Sequence, residues 1–495
     1  MLIAGVLFAL SANAQAKTKK PLFNAYQLET ELTLSHPLYP IDLLPNPGLE
    51  LLVIGTKESQ QYLEVYGISE GNLFNRVAQI AIPETMYGID ITSENFTQQG
   101  VYFFSSKNAY QLDLTSENHF KKLFEMRTYL QQDTNQHVTK LNIIHDLNGD
   151  EYPDFFINDF KQSSLFLSRS GEYLTAELDL PARLVLEGMQ ARVKPPKVAF
   201  FDTNEDKTKE LVRMEKGKLK HSADFSDTRE TADEITIKND IHVDDWWHIK
   251  GPDGESLDQS NLTYRKLEQV TDINNDGIMD LLVRFTKSSG ALDRRNDYET
   301  YFGRIEHGKI VFDEITDSVV KDDSTLTDAR LIDVNNDGRK EVLVSGFDIG
   351  VSQVIGALLS GSISQDVHLF YLNENGKFNE KNKVTRDVEL SFSISSGRSG
   401  SPVVLFADIN GDGLKDWVLS DEQDALKVYF AKSEKKFERR AKKFKTQLPM
   451  QGNRVVMADL NQDGLDDIAM TYGKMDESGL QKQIKVLLTI PPKQS

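Results

Sequence analysis

Residues 272–283 spell DINNDGIMDLLV. Asp272, Asn274 and Asp276 alternate, Gly277 follows, and Asp280 stands four residues beyond Asp276. In a tight loop, alternate side chains point at one centre, and a hard cation such as calcium needs about six to eight oxygens there. An EF-hand loop starts in this way, but it ends on a bidentate Glu at position 12 and lies between two helices. Position 12 here is Val283, inside an apolar run. The stretch is therefore a cation loop set between strands.

It is not alone. Copies begin at Asp146, Asp202, Asp272, Asp333, Asp408 and Asp459. Position 3 is Asn148, Asn204, Asn274, Asn335, Asn410 and Asn461, and position 5 is Asp150, Asp206, Asp276, Asp337, Asp412 and Asp463. Position 9 is Asp154, Glu210, Asp280, Glu341, Asp416 and Asp467. Position 6 is Gly277, Gly338, Gly413 and Gly464 in four copies, where φ > 0 lets the chain turn around an ion; Glu151 and Lys207 replace it in the other two. Position 7 offers a backbone carbonyl from Ile278, Arg339, Leu414 and Leu465, with Tyr152 in the first copy.

The flanks repeat too. Short runs such as KVAFF, VVLFA and RVVMA precede the loops, and LLVRF, VLVSG and WVLS follow them. Apolar runs of this length, bounded by turn residues, are buried strands. Third strands follow in SLFLS (164–168), YETYFGRI (298–305) and ALKVYFA (425–431), and fourth strands in YLTAELDL (173–180) and KIVFDEI (309–315). Two further units, near Asp42–Glu50 and Asp90, keep the strand frame without the ligands. Eight unit starts recur at steps of 48 to 75 residues, the period of four-stranded propeller blades. The last unit lacks a fourth strand, which NAYQLETELTLS (24–35) can supply to close the ring. The expectation is an all-β, eight-bladed β-propeller of four-stranded antiparallel blades, with seven blades as the alternative if one degenerate unit is an insertion. Residues 17–495 then form one domain.

The six Asp-x-Asn-x-Asp loops between strands resemble the VCBS/FG-GAP repeats of bacterial exported proteins, related to the integrin alpha-chain propeller. The likeness is specific at the four Gly-bearing loops, weaker at 146–154 and 202–210, and fails at 42–50 and near Asp90. It implies four to six bound calcium ions, held through positions 1, 3, 5, 7 and 9. Composition agrees with this. The net charge is −19, and six calcium ions would bring it to −7. The sites are expected to be structural, joining two strands of one blade. The competing reading of each loop is an Asx-rich turn that needs no metal.

The acidic balance argues against nucleic acid or anionic lipid as the main partner. The chain has no Cys, so disulfides, thiolate zinc and a Cys nucleophile are excluded. Residues 1–16 hold an apolar stretch followed by a small-x-small site, as in a secretory signal, and imply an exported protein, periplasmic or secreted. No stretch is long enough to span a bilayer as a helix, and a monomer is expected.

No HExxH, GxSxG or Walker loop is present, and the nine His are scattered. HVDDWWHIKGPDGE (242–255) holds two of the three Trp. Trp246 and Trp247 are candidate partner-binding residues, set against simple packing on a neighbouring blade. GVSQVIGALLSGSIS (350–364) has helical apolar spacing, and SFSISSGRSGSP (391–402) has loop composition. The expected function is non-enzymatic binding of a protein or glycan. The rival is a polysaccharide lyase or hydrolase working from a propeller face or central pocket, since its carboxylates need no local signature. A quinone-dependent dehydrogenase is disfavoured by the low Trp count.

Overall fold

The computed structural model describes residues 21–69, 71–130, 137–187, 190–203, 207–215, 218–222, 232–249, 255, 257–290, 293–347, 361–393 and 398–491. Among these residues the strands form eight antiparallel blades. Blades 1 to 4 cover 33–81, 88–125, 144–178 and 198–235; blades 5 to 7 cover 262–320, 325–393 and 404–445. Blade 8 combines 455–489 with the N-terminal strand Phe23–Glu29. That strand runs antiparallel to Gln483–Thr489, with Ala25 opposite Leu487, and closes the ring as the sequence suggests.

The core is a circle of blade-to-blade contacts. One apolar cluster joins blades 8 and 1, through Leu51, Val53, Leu460 and Val486. Others join 1 to 2, 2 to 3 and so on round to 7 and 8. The second and third strands supply most of these residues because both of their faces are covered, which makes their runs near-continuously apolar. First strands of neighbouring blades touch, as Val198–Phe201 does Leu262–Thr271 and Val404–Ala407 does Val455–Ala458. The first strand of each blade is therefore innermost.

Strand direction alternates within a blade, so connections 1–2 and 3–4 leave from one rim, and connections 2–3 and 4–1 from the other. All six Asp loops are 1–2 connections and share one rim.

Several sequence expectations need correction. The stretch 24–35 is split: Phe23–Glu29 closes blade 8, while Thr33–Leu34 crosses to blade 1 and pairs with Gly55 and Thr56. KIVFDEI is not a fourth strand. Lys309–Val311 folds back on Arg304–Glu306 through a His307–Gly308 turn, with both residues at positive φ, and Ser318–Val320 is the fourth strand of blade 5. Residues 362–364 of the expected helix belong to strand Ser362–Leu372, while 350–360 lie outside the described residues. Of the expected loop 391–402, residues up to Ser393 extend strand Phe378–Ser393, and 394–397 lie outside the described residues. The 1–16 segment lies outside them as well.

Candidate functional site

Blade 8 shows how an Asp loop is built. Asp459 Oδ1 accepts the N–H of Asp463 at 3.0 Å and Oδ2 that of Gly464 at 2.9 Å. Asn461 Oδ1 accepts the N–H of Asp463, while its Nδ2 donates to Asp463 Oδ2 at 3.0 Å. Asp463 Oδ1 accepts the N–H of Leu465 at 3.1 Å. The position 6 to position 1 bond recurs in all six loops, from Glu151, Lys207, Gly277, Gly338, Gly413 and Gly464, at 2.7 to 3.3 Å. Position 6 has positive φ throughout, including Glu151 at 60° and Lys207 at 73°. Position 4 is also left-handed, at Gly149, Asn275, Asn336, Gly411 and Gln462. The Gly and Asn at that position were the unread signal for it.

The position 9 acids play a different part. Asp154, Asp280, Asp416 and Asp467 are wholly buried, and Glu341 nearly so. One oxygen of each accepts the N–H of position 2, from Leu147, Ile273, Ile409, Leu460 and Val334 at 2.8 to 3.2 Å. The other oxygen, in four blades, accepts an N–H at or beyond the end of the third strand, from Ser168, Gly303, Ala431 and, in blade 8, Thr489. Burial pushes all five acids up to about 7, helped by the loop's own carboxylates at positions 5 and 1. Among the described residues, no three acid or imidazole groups converge on a single point. The side chains at positions 1 and 5 are turned onto the loop's own N–H groups, and that at position 5 also onto the Asn amide.

Two loops depart from the pattern. In blade 6, Arg339 Nη2 lies 2.8 Å from Asp337 Oδ2, the hydrogen bond and charge holding Asp337 below the usual carboxylate range although burial opposes this. Asp333 Oδ1 beside it is buried without a hydrogen-bond partner. In blade 4, Asp202 accepts Lys207 N–H, and Glu210 accepts the N–H and hydroxyl of Thr203; Asn204 and Asp206 lie outside the described residues.

The loops also touch one another across blades, which spacing alone did not reveal. The position 8 N–H reaches a carbonyl in the preceding loop: Lys209 to Leu147 at 2.7 Å, Lys340 to Ile273 at 2.9 Å and Asp466 to Asp408 at 3.0 Å. Asn336 Nδ2 donates to Gly413 O at 3.1 Å. The staples therefore join blades as well as strands.

The tryptophan pair divides. Trp246 is buried on Leu262 and Tyr264, at the start of the first strand of blade 5, whereas Trp247 is 45 % exposed. Arg284 lies 5.7 Å from the Trp247 ring centroid. Arg284 belongs to an ion network with Asp245, Glu268 and Lys266. Since the first strand runs from Leu262 towards the Asp272 loop, the Trp pair sits at the rim opposite the Asp loops.

A pocket of about 540 Å³ opens between the inner parts of blades 1, 2 and 8, lined by His36, Tyr39, Thr92, Lys140 and Val456 among others. Burial pushes His36 down to about 4 and Tyr39 up to about 12. Among the described residues, no carboxylate is in its lining.

Residues 408–470, which hold the blade 7 and blade 8 loops, match the FG-GAP-like repeat family. The chain is thus an eight-bladed propeller that carries an FG-GAP-like repeat at residues 408–470. No curated protein sequence matches it. Among solved structures it is similar to the V. cholerae biofilm matrix protein Bap1, with 9% identity, 96% of this chain and 92% of that chain covered, and a TM-score of 0.38. It is also similar to an Agrocybe aegerita lectin described as recognising non-reducing terminal N-acetylglucosamine, with 12% identity, coverages of 94% and 99%, and a TM-score of 0.39. Among the described residues, no helix is long and apolar enough to cross a membrane.

Proposed function

We propose that this protein is an exported, calcium-stabilised propeller that binds a protein or glycan partner without chemically altering it. The calcium reading rests on the donor chemistry of the loops. Positions 1, 3, 5, 7 and 9 are oxygen donors only, the set a hard dication prefers. Asp333 Oδ1, buried without a hydrogen-bond partner, is an oxygen that a bound cation would satisfy, which supports this reading. Each position 9 oxygen that accepts one N–H retains a second lone pair, so acting as a backbone staple does not prevent ligation. Turning the Asn amide over would offer its oxygen in place of its NH₂. Bound calcium would neutralise carboxylates that burial and mutual repulsion now hold near pKa 7.

The observation that carries the binding reading is Trp247, a large ring nearly half exposed beside the Arg284 guanidinium. Rings of this kind stack on sugar faces or anchor protein partners. Trp247→Ala is expected to weaken binding to a captured partner or glycan array hit at least tenfold, with an unchanged melting temperature. Trp246→Ala is expected to lower the melting temperature through lost packing. Unchanged binding by a folded Trp247→Ala protein would remove this face from the account.

A further inference from the structure

The fifteen residues 431–445, AKSEKKFERRAKKFK, carry eight Lys or Arg against two Glu, in a chain whose net charge is −19. They form the 3–4 connection and fourth strand of blade 7. A hairpin, Ala431–Ser433 paired with Lys436–Phe437, stands on the Asp-loop rim; its Ala431 N–H donates to Asp416 Oδ1 at 2.8 Å. Between this hairpin and the fourth strand of blade 6 lies a groove of about 650 Å³. Its cations are Arg386 from blade 6 and Lys432, Lys435, Lys436, Arg439 and Arg440 from blade 7; one acid, Glu438, also lines it.

The blade 7 cations are unusual because none of them is held in an ion pair among the described residues, Lys435 acting on the buried Glu341 only through its charge. Among the described residues, the side chains of Lys432, Lys435, Lys436, Arg439 and Arg440 have no hydrogen bond or ion pair. The corresponding hairpin of blade 5 shows the ordinary solution, with Arg304 paired to Asp313 at 2.7 Å and also to Asp317. Crowding five unpaired like charges costs folding free energy, and an acidic protein has carboxylates to spare for them. The groove is also rigidly walled. Arg386 stacks over Tyr429 at 4.5 Å and donates to Glu438 O at 3.1 Å, leaving its buried Nε without a partner. Phe437, half-buried in the groove lining, packs on Trp417 at 5.5 Å.

We propose that this groove binds an acidic polysaccharide, a linear glycan bearing carboxylate or sulfate groups on successive sugars. A strip of cations fits a chain of repeated charges better than a single phosphate. An aromatic ring in the lining suits the C–H face of a pyranose. The acidic remainder of the surface repels a broad anionic sheet such as a membrane and a thick polyanion such as duplex DNA, but a narrow strand can lie in the groove. The inference shares the binding reading above but uses the opposite rim, so it does not depend on Trp247.

The test is calorimetric titration of the calcium-loaded protein with polygalacturonate and with dextran sulfate, which separate carboxylate from sulfate. Neutral pullulan, poly-glutamate, phosphatidylserine vesicles and duplex DNA serve as the other arms. The expected result is binding to at least one acidic glycan, weakening as salt rises. That binding should weaken at least tenfold in Lys435→Gln/Lys436→Gln/Arg439→Gln/Arg440→Gln and stay unchanged in Trp247→Ala. The quadruple variant should melt within a few degrees of wild type, since its side chains make no internal hydrogen bond or ion pair among the described residues; Lys432→Gln/Lys435→Gln, expected to weaken binding severalfold, repeats the test with a milder change. Overturning results are no glycan binding by wild type, equal binding by the folded variants, loss in Trp247→Ala instead, or tighter binding to poly-glutamate, vesicles or DNA. Failure of wild type to bind any acidic glycan would leave the Trp247 reading standing.

Discussion

Blades 1 and 8 are neighbours in the ring, and their 1–2 loops touch, Leu49 N–H donating to Leu460 O at 2.9 Å. Yet one loop carries the cation pattern and the other does not. In blade 8, Asp459, Asn461 and Asp463 are followed by Gly464; in blade 1 the matching positions are Asp42, Leu44, Asn46 and Pro47. What both keep is the buried acid at position 9. Glu50 accepts the N–H of Leu43 at 2.8 Å, as Asp467 accepts that of Leu460 at 3.1 Å, and both acids are fully buried. The comparison separates two jobs that the motif fuses. Position 9 fastens the loop to its own blade; positions 1, 3 and 5 cap the loop's own N–H groups and are the side chains that the proposed cation would use.

The largest expected effects break the shared job. Asp467→Ala would leave the N–H groups of Leu460 and Thr489 unpaired, the second of them in the last strand of the closing blade. Each orphaned buried donor costs about 1–3 kcal/mol. Stability by urea unfolding should fall by roughly 3 kcal/mol or more in chelator, and further in calcium because a proposed ligand is also lost. Glu50→Ala in blade 1 should show the staple loss alone, equal in both buffers; an Asp467→Ala loss confined to calcium buffer would merge the two jobs again.

Next come changes to the cage alone. Asp463→Ala should cost about 2–3 kcal/mol at calcium a hundredfold above Kd. In chelator the cost should be much smaller, and Asp42→Ala should show no calcium dependence in either buffer.

The pH response sharpens the same contrast. Five position 9 acids stand near pKa 7 in the folded chain, above the ordinary carboxylate value, because burial opposes their charge. A raised folded pKa favours folding while the group is protonated and loses that contribution as pH rises through about 7. In chelator the melting temperature should therefore fall by some degrees between pH 5 and pH 8. Calcium should flatten or reverse the trend, and an equal fall in both buffers would argue against ions beside these acids.

The smallest effect concerns position 6. Glu151 and Lys207 hold φ of 60° and 73° where the other loops have Gly. Glu151→Gly and Lys207→Gly should each stabilise by up to about 1 kcal/mol, because the left-handed conformation costs a side-chain residue roughly that much. Thermal melts of the single variants measure this.

Much of the fold was legible because its signals are local and repeated. The Asp-x-Asn-x-Asp loops and their apolar flanks mark strands 1 and 2 of six blades, and the missing last strand pointed to the N-terminal segment that pairs as Phe23–Glu29. KIVFDEI failed because an apolar triplet looks alike in a blade strand and in a short hairpin; the His307–Gly308 turn decides between them. Position 9 was legible as an acid but not as a backbone staple, since its partners at Gly303 and Thr489 lie 22 or more residues away. The split of the adjacent Trp246 and Trp247 into one buried and one exposed ring depends on a turn whose packing partners, Leu262 and Tyr264, come from the next blade. The basic groove went unread because its two walls belong to different blades.

The Asp loops of blades 3 to 8 are the proposed calcium sites. Calcium stoichiometry, measured by equilibrium dialysis and elemental analysis on the folded chain, tests this proposal most directly. Four to six ions per chain are expected, and one fewer in Asp463→Ala. No bound calcium, with the same melting temperature in calcium and in chelator, would contradict it.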